Sequence, residues 1–324
     1  TSSAASDVYK RQLYEIKEEL NQTANVDLYS VLADVKDEKR ICKICKAFEV
    51  DTIYHAAAYK HVPLVEENPF EGVKNNIFGT LSCVNAAMMS NVETFVLIST
   101  DKAVRPTNIM GASKRFAEMI LQSLATDIEN KSNTKMTMVR FGNVLGSSGS
   151  ALPLFKRQIQ DGGPVTVTDP EIIRYFMTIP EAATLVIQAG AMGDGGDLFL
   201  LDMGEPVKIL ELAKRLIKLS GYELMDKDNP DGDIEIVFTG LRPGEKLYEE
   251  LLIGDNVRQT QHKQIFQDNE DFLDRKDMDK YLESLTDAVH DNDNEKLENI
   301  LKSSIHGFIP EKEIVDIIHM HNKN

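Results

Sequence analysis

Short apolar runs alternate with segments of helical period through the middle of the sequence. Residues 53–57 and 95–99 are runs of the kind that form buried parallel strands. Residues 70–89 and 110–124 have the apolar spacing of helices, and residues 136–141 form a third apolar run. Strands that alternate with helices in this way predict an α/β fold with a doubly wound parallel sheet, which binds ligands at the carboxyl ends of its strands.

The second half of the sequence predicts a smaller C-terminal, substrate-binding lobe beside this Rossmann-like sheet. A Ser/Gly-rich loop follows Gly146, and strand patterns at residues 198–201 and 234–238 flank a helical pattern at residues 209–219. The expected units are an unstructured tail over 1–12, an incomplete dinucleotide-binding domain over 13–146, a mainly substrate-binding lobe over 147–266 and an acidic helical segment over 267–324.

The amino-acid composition limits the classes of binding partner that the protein can have. The net charge of −16 argues against nucleic acid or an anionic membrane as the main partner, because both need a basic surface. The sequence has no apolar run of about 18 residues that would predict a membrane-spanning helix, so a cytoplasmic location is expected. Cys42 and Cys45 form a CxxC pair, but with Ile41 and Phe48 they lie at helical spacing. We interpret them as one buried face and predict no metal site.

The phosphate-binding loop expected of such a fold is missing from the sequence. A dinucleotide-binding fold normally opens with a strand, a Gly-rich turn and a helix whose backbone N–H groups hold the pyrophosphate. No GxGxxG pattern precedes Leu13. Either the protein binds no dinucleotide, or the first strand, turn and helix have been lost. We favour loss, because the downstream elements follow in the order that the complete fold requires.

Two polar motifs follow the predicted strands. Residues 99–102, Ser-Thr-Asp-Lys, come at the end of a buried strand, where side chains face the ligand crevice. Taken alone, such a tetrapeptide is more often a polar turn that closes a strand. The second motif, Met-Gly-Ala-Ser-Lys, weakens that interpretation. A helix that starts there puts Met110 and Lys114 one turn apart on one face.

Together the motifs resemble the extended short-chain dehydrogenase/reductases, which carry a Ser or Thr at the strand end and Tyr-x-x-x-Lys on the next helix. Ser-Thr-Asp-Lys-Ala-Val, Pro-Thr-Asn and Met-Gly-Ala-Ser-Lys-Arg are similar to the nucleotide-sugar 4,6-dehydratases of polysaccharide biosynthesis, of the UDP-N-acetylglucosamine 4,6-dehydratase type. Met110 occupies the tyrosine position, as in the large, membrane-tethered branch that retains the configuration at C5. The resemblance covers about residues 13–310 and implies an N-terminally truncated member.

The resemblance implies a site of three parts. The catalytic residues are Thr100, Asp101, Lys102, Met110 and Lys114. The cofactor-binding residues are Asp34, Ala56, Ala57, Ala58, Lys60, Asn76, Ser99, Lys114 and Phe141. The substrate-binding residues are Asn143, Arg174, Arg242 and Glu245. Arg242 is a forked donor suited to a diphosphate, and Arg174 is a second candidate for that role. Taken alone, either arginine is more often a surface ion-pair partner.

The implied reaction moves one hydride twice, from C4 of the sugar to the oxidised cofactor and back to C6, and water leaves between C5 and C6. Asp101 is expected to be the acid at the C6 hydroxyl and Lys102 the base at C5. Lys102 must then be neutral, which requires a lowered pKa, and burial favours that shift. Thr100 would bind the C4 oxygen, and Lys114 the nicotinamide ribose. Because the thioether of Met110 cannot accept a proton, Asp101, Lys102 or a bound water is expected to remove the C4 hydroxyl proton.

Other functions stay open on the sequence alone. A sugar-nucleotide 4-epimerase shares the fold and cofactor, but it normally keeps the tyrosine and does not need an Asp-Lys pair. Met110 and the missing loop also fit a pseudoenzyme that binds a sugar nucleotide without converting it, and a C5-inverting dehydratase is a further alternative. The expected cofactor is NAD or NADP, with NAD favoured, and the expected partner is a UDP-sugar. A homo-oligomer is open, and a membrane-tethered protein would place this region at the cytoplasmic face of the inner membrane.

Overall fold

The computed structural model describes residues 3–4, 10–23, 26–127, 129, 132–147, 149–242, 244–250 and 257–318. Its strands are β1 Ser3–Ala4, β2 Val31–Leu32, β3 Thr52–His55, β4 Thr94–Ile98, β5 Lys135–Arg140, β6 Asn143–Val144, β7 Val165–Val167, β8 Ile173–Arg174, β9 Phe176–Met177, β10 Asp197–Leu201, β11 Val207–Lys208, β12 Leu224–Met225, β13 Ile234–Phe238, β14 Arg258–Gln259 and β15 Ile265–Asp268.

The α-helices are α1 Lys10–Thr23, α2 Glu38–Ala47, α3 Val62–Glu67, α4 Pro69–Val73, α5 Gly79–Met89, α6 Ile109–Thr126, α7 Ala151–Gln160, α8 Ile179–Met192, α9 Ile209–Leu219, α10 Arg275–Asp291 and α11 Asn294–Ser304. A π-helix, Lys74–Phe78, joins α4 to α5, and a 3₁₀ turn, Asp101–Ala103, follows β4.

Within the described residues, the largest sheet has six strands in the order β14-β15-β10-β5-β4-β3. β3, β4, β5 and β10 run parallel, and β15 and β14 add an antiparallel edge. Phe95, Val96 and Leu97 of β4 are completely buried, because helices cover both faces of the sheet. The predicted doubly wound parallel sheet is confirmed, but its antiparallel edge was not foreseen.

Helices α2, α5 and α6 cover one face of the sheet, and α8 covers the other. Gly190 allows α8 to lie close to β4, since an added Cβ would come within 2.8 Å of the Val96 side chain. On the first face, α10 and α11 add Met278, Leu285 and Leu297 to the same core. The two helices of the acidic C-terminal segment therefore extend the main core.

A smaller lobe lies beside the sheet, as predicted. It is built from α7 and α9 packed on β7, β12 and β13, and its core includes Phe155, Ile159, Ile217 and Ile234. Residues 147–266 do not all belong to it, however. β10 and β14 lie in the large sheet, as does the first part of β15. The expected boundary fails here because strands that pair with distant neighbours look the same in sequence as strands of a local lobe.

The N-terminal region contains more regular structure than expected. β1 pairs in parallel with β2, and α1 begins at Lys10, so the prediction of an unstructured tail was wrong for residues 3–4 and 10–12. The rest of 1–12 lies outside the described residues. None of the helices in the described ranges combines the length and apolar character that a bilayer span needs. The cytoplasmic or inner-membrane location stays a prediction.

A network of buried charges joins the large sheet to α6. Ser99, which follows β4, donates from Oγ to Glu118 Oε1 at 2.5 Å, and Arg140 Nη2 donates to Glu118 Oε2 at 2.6 Å. Glu270, which follows β15, contacts Arg140 at 2.5 Å, and Arg115 contacts both carboxylates at 3.1 Å. Burial raises the pKa of Glu118, but Arg140 and Arg115 outweigh burial and hold it below its usual range. The network thus fixes two strand ends to one helix.

We expect Glu118→Ala to lower the free energy of unfolding by about 3–5 kcal/mol, because Arg140 stays buried without its nearest carboxylate. Urea unfolding at pH 7 measures this loss. The matched control is Glu283→Ala, on the exposed face of α10, which should change stability by less than about 0.5 kcal/mol. A similar small loss for both variants would show that the network is not structural.

Candidate active site

A cleft of about 440 Å³ opens at the carboxyl ends of β3, β4 and β5, between the large sheet and the smaller lobe. This is the place where an open α/β sheet binds ligands. The predicted site residues that line it are Ala56, Ala58, Lys60, Ser99, Thr100, Lys102, Met110, Lys114, Phe141, Asn143, Arg174, Arg242 and Glu245. The structure therefore brings residues from across the sequence to one cavity.

The other predicted residues lie behind or beside the cleft lining. Asp101 is buried directly beneath it, and its side chain is only 2% exposed. Ala57 lies between two cleft residues, and its carbonyl accepts from Asn75 at 3.4 Å. Asp34 lies just after β2 and accepts from the backbone N–H of Lys36 at 2.9 Å. A contact between Asp34 and adenine stays a prediction.

Asn76 lies in the π-helix and is almost fully buried. Its side-chain amide accepts from Tyr59 N–H at 2.8 Å and donates to the Tyr59 carbonyl at 3.1 Å. It also donates to Ser113 Oγ of α6 at 3.0 Å. Both ends of the amide are thus engaged within the protein. Asn76 fixes the strand-end backbone that lines the cleft, and π-turns of this kind occur often at functional sites.

The strand-end turn gathers a hydroxyl, a carboxylate and an amine. Asp101 Oδ1 accepts from Thr100 Oγ1 at 2.8 Å and from Lys102 Nζ at 3.0 Å. Gly111 of α6 lies so close that an added Cβ would be 2.1 Å from the Lys102 carbonyl oxygen. Glycine is therefore required at this position, and the turn is held directly against the first turn of α6.

Lys102 also contacts Glu249, whose Oε1 lies 3.3 Å from Lys102 Nζ. Burial lowers the pKa of Lys102, but the charges of Asp101 and then Glu249 raise it by more, so the net pKa is above its ordinary value. The predicted lowering of this pKa was therefore wrong. The physical reason is that the amine lies between two buried carboxylates, of which the sequence indicated only one.

Lys114 has the opposite electrostatic environment. It is buried, and burial lowers the pKa of Lys114 to about 8, although Glu118 partly opposes the shift. Within the described ranges its amine forms no hydrogen bond or ion pair. Met110, one turn earlier on α6, lines the same cleft and packs into the main core. The predicted side-by-side placement of Met110 and Lys114 is present, with Lys114 free to meet a ligand.

The two candidate phosphate-binding arginines differ in availability. Arg174 is buried, and its guanidinium donates to the carbonyls of Ile173, Lys246 and Leu247 at 2.7, 2.8 and 3.2 Å. The guanidinium also forms ion pairs with Glu245 and Glu249. Its N–H groups are therefore occupied, and Arg174 holds the loop of residues 245–249 in place. Arg242 is exposed, and in the part of the chain described here its guanidinium has no partner. Of the two arginines, Arg242 is therefore the one whose guanidinium is accessible, and its contact with a diphosphate stays a prediction.

Residues 307–314, which we call the carboxyl-terminal strap, cross the outer side of the site. The Ile309 N–H donates to the carbonyl of Pro106 at 3.2 Å, and Glu311 Oε2 accepts from the Gly244 N–H at 3.0 Å. The strap thus ties the loop after the strand-end turn to the loop that carries Arg242.

Sequence reasoning missed Glu249 and Glu118. Glu118 lies two turns after Met110 on α6, so its helical position was a usable signal. Glu249 follows Arg242 in the same part of the sequence, and a second glutamate follows it directly. No regular period in that loop shows which of the two carboxylates is buried.

The parallel sheet, the strand-end turn and the lysine on the next helix define an extended short-chain dehydrogenase/reductase. The chain belongs to the polysaccharide biosynthesis protein family, whose sequence profile matches residues 5–270. This confirms the resemblance to the polysaccharide-biosynthesis members of the extended short-chain dehydrogenase/reductases that the motifs indicated.

Two bacterial relatives share about half of their aligned residues with the chain. The capsular polysaccharide biosynthesis protein CapD of Staphylococcus aureus is 50% identical over 279 residues, which is 85% of this chain and 45% of CapD. The probable polysaccharide biosynthesis protein EpsC of Bacillus subtilis is 54% identical over 259 residues, 79% of this chain and 41% of EpsC. The chain thus spans less than half the length of either relative.

Solved structures agree with the fold. Pen from Bacillus thuringiensis is 33% identical, with a TM-score of 0.72 over 84% of this chain and 80% of that chain. DesIV from Streptomyces venezuelae, a dTDP-glucose 4,6-dehydratase solved with NAD bound, has a TM-score of 0.60 over 72% of this chain and 74% of that chain. DesIV is 20% identical, so the similarity concerns the fold alone.

We expect Lys114→Met to stabilise the protein at pH 7 by about 3 kcal/mol, because the charged amine is buried without a partner. The folded protein binds this proton less tightly than the unfolded chain does. The free energy of unfolding of the wild type therefore rises as the pH increases through 8 toward 10.5. The advantage of the variant should therefore shrink to about 1 kcal/mol at pH 10. Urea unfolding at both pH values measures it.

Lys43→Met, on the exposed face of α2, is the matched control and should show no such dependence on pH. A difference between wild type and Lys114→Met that stays constant from pH 7 to pH 10 would contradict a lowered pKa at Lys114.

Proposed function

We propose that the chain is the catalytic region of a nucleotide-sugar 4,6-dehydratase that acts on a UDP-N-acetyl-hexosamine, of the UDP-N-acetylglucosamine class, and retains the configuration at C5. The observation that carries this proposal is the Asp101–Lys102 contact of 3.0 Å at the strand end, in the cleft that ligands of this fold enter. An acid and a base side by side are what dehydration requires beyond simple oxidation at C4.

The residues of the cleft fit NAD as the cofactor. The amine of Lys114 is buried and unpaired in the described residues, and the small side chains of Ala56 and Ala58 leave room for a flat ring beside the backbone. Lys114 would hold the nicotinamide ribose. The chemistry that bound NAD supplies is removal of a hydride from C4 and its return to C6. The preference for NAD over NADP is part of the proposal.

Asp101 and Lys102 would manage the protons of the elimination. Lys102 carries the proton in the resting state, since its pKa is raised. Transfer of that proton to Asp101 across the 3.0 Å contact gives a neutral pair. Lys102 can then accept the proton of C5 while Asp101 donates one to the leaving C6 hydroxyl. These two transfers give back the carboxylate and the ammonium. As the hydride enters C6, Lys102 returns a proton to C5, and the proton released from the C4 hydroxyl then replaces the one that Lys102 has given up, so each turnover restores the pair.

Binding of the sugar nucleotide would use the smaller lobe and the two loops beside it. Arg242, whose guanidinium has no partner among the described residues, would offer it to the diphosphate. Asn143 lies in the cleft at the start of β6, and Glu245 lies opposite. Thr100 already donates to Asp101, so its oxygen can accept from a substrate hydroxyl. These contacts would place C4 to C6 near the catalytic turn.

The test is incubation of the full-length protein, with its phosphate-binding loop, with UDP-N-acetylglucosamine and NAD in deuterated water. The expected product is lighter by one water and carries deuterium at C5 with unchanged configuration, as seen by mass spectrometry and NMR. Asp101→Asn and Lys102→Met should each reduce turnover by about 100-fold or more, whereas Lys43→Met should not. An isomer of unchanged mass would indicate an epimerase, and unchanged substrate would indicate a binding protein.

Met110 gives a separate test of the site. Since a thioether cannot remove the C4 hydroxyl proton, we expect Asp101, Lys102 or a bound water to do so. Met110→Tyr should then change turnover by less than about 100-fold, because the remaining groups already perform the transfer. Steady-state turnover of the two proteins at several pH values measures the effect. A gain of that size or more would show that the site lacks a base at C4.

A further inference from the structure

Glu249 is a buried carboxylate that the reaction as drawn above does not use. Its side chain is 2% exposed, and Oε1 lies 3.3 Å from Lys102 Nζ and 3.8 Å from Arg174 Nε. Within the described residues, its second oxygen, Oε2, has no hydrogen-bond partner. A buried carboxylate with an unsatisfied oxygen is costly, and a protein that keeps one needs a reason.

The contact distances indicate that Lys102 is the main ion-pair partner of Glu249. Arg174 directs its Nη1 and Nη2 atoms to backbone carbonyls and to Glu245, so only its Nε faces Glu249, at the longer distance. Lys102 lies closer and has few other anchors. Its amine therefore sits between Asp101, on its own turn, and Glu249, on the loop from the other side of the cleft.

We propose that Glu249 is a positioning residue that fixes the Lys102 amine against Asp101, so that the proton exchange between the two stays within the pair. The consequence for catalysis rests on the proposed dehydratase function. Without Glu249, the flexible lysine side chain could swing into the cleft, away from Asp101. The carboxylate also links the amine to Arg174 and thus to the loop that carries Arg242.

Three charged groups face the Lys102 amine from the elements packed around it. Asp101 of the 3₁₀ turn and Glu249 of the loop favour its protonated form, and Arg174 of β8 opposes it. Removing the charge of Glu249 should therefore leave Lys102 easier to deprotonate. A role in packing alone would not have this effect.

The test compares Glu249→Gln with Glu250→Gln, its neighbour, which pairs with Arg105 and Lys246 on the exposed side. NMR titration of protein labelled with ¹⁵N at the lysine side-chain nitrogen gives the pKa of Lys102, and Lys102→Arg assigns its signal. We expect Glu249→Gln to lower this pKa by about one unit or more, and Glu250→Gln to leave it unchanged. Equal pKa values in wild type and Glu249→Gln would overturn the proposal.

Glu249→Asp provides a second variant that keeps the charge but shortens the side chain. It should leave the Lys102 pKa near the wild-type value while lowering kcat by about tenfold, with KM for the UDP-sugar little changed. A higher KM with unchanged kcat would mean that Glu249 only shapes the substrate loop, and would also overturn the proposal. Because the NMR titration needs no turnover, failure of the dehydratase assay and failure of the Glu249 proposal are distinguishable.

Discussion

The ion pair between Glu118 and Arg140 is the interaction on which the site depends. It lies in the fully buried layer beneath the cleft and ties the ends of β4 and β5 to α6. A buried pair of this kind adds little net stability compared with an apolar core, but loss of one partner is costly. The effect of the ion pair is to fix the position of α6 relative to the sheet. The helix that carries Lys114 cannot slide along β5 without breaking the ion pair, and the hydrogen bond from Ser99 holds the end of β4 to the same carboxylate.

Above this layer, the cleft contains charges in two contrasting settings. Lys102 has two carboxylates close by, which raise its pKa, whereas Lys114 has none in contact among the described residues, and burial lowers its pKa. The two lysines, twelve positions apart, thus differ chiefly in their charged neighbours. Unpaired buried charge destabilises a fold, so its presence at Lys114 fits a site organised for a ligand.

Much of this arrangement follows from local sequence. The strand ends of the parallel sheet and the start of α6 are set by apolar period, so Asp101, Lys102 and Lys114 could be placed near one another before the structure was known. The contacts that long side chains make with distant residues could not be predicted from the sequence. Arg174 and Glu249 are more than 70 residues apart, and their contact depends on how β8 packs against a distant loop. The same limit explains the error over the Lys102 pKa, which is decided by a carboxylate from a distant loop.

The carboxyl-terminal strap has a consequence for the order in which the site forms. Ile309 holds the loop that follows the strand-end turn, and Glu311 holds the loop that carries Arg242. Both residues leave the ribosome later than the two loops that they hold. The parallel sheet can pair while synthesis continues, but these two loops reach their final positions only after the strap has emerged. A nascent chain would therefore have its parallel sheet before its cleft is complete.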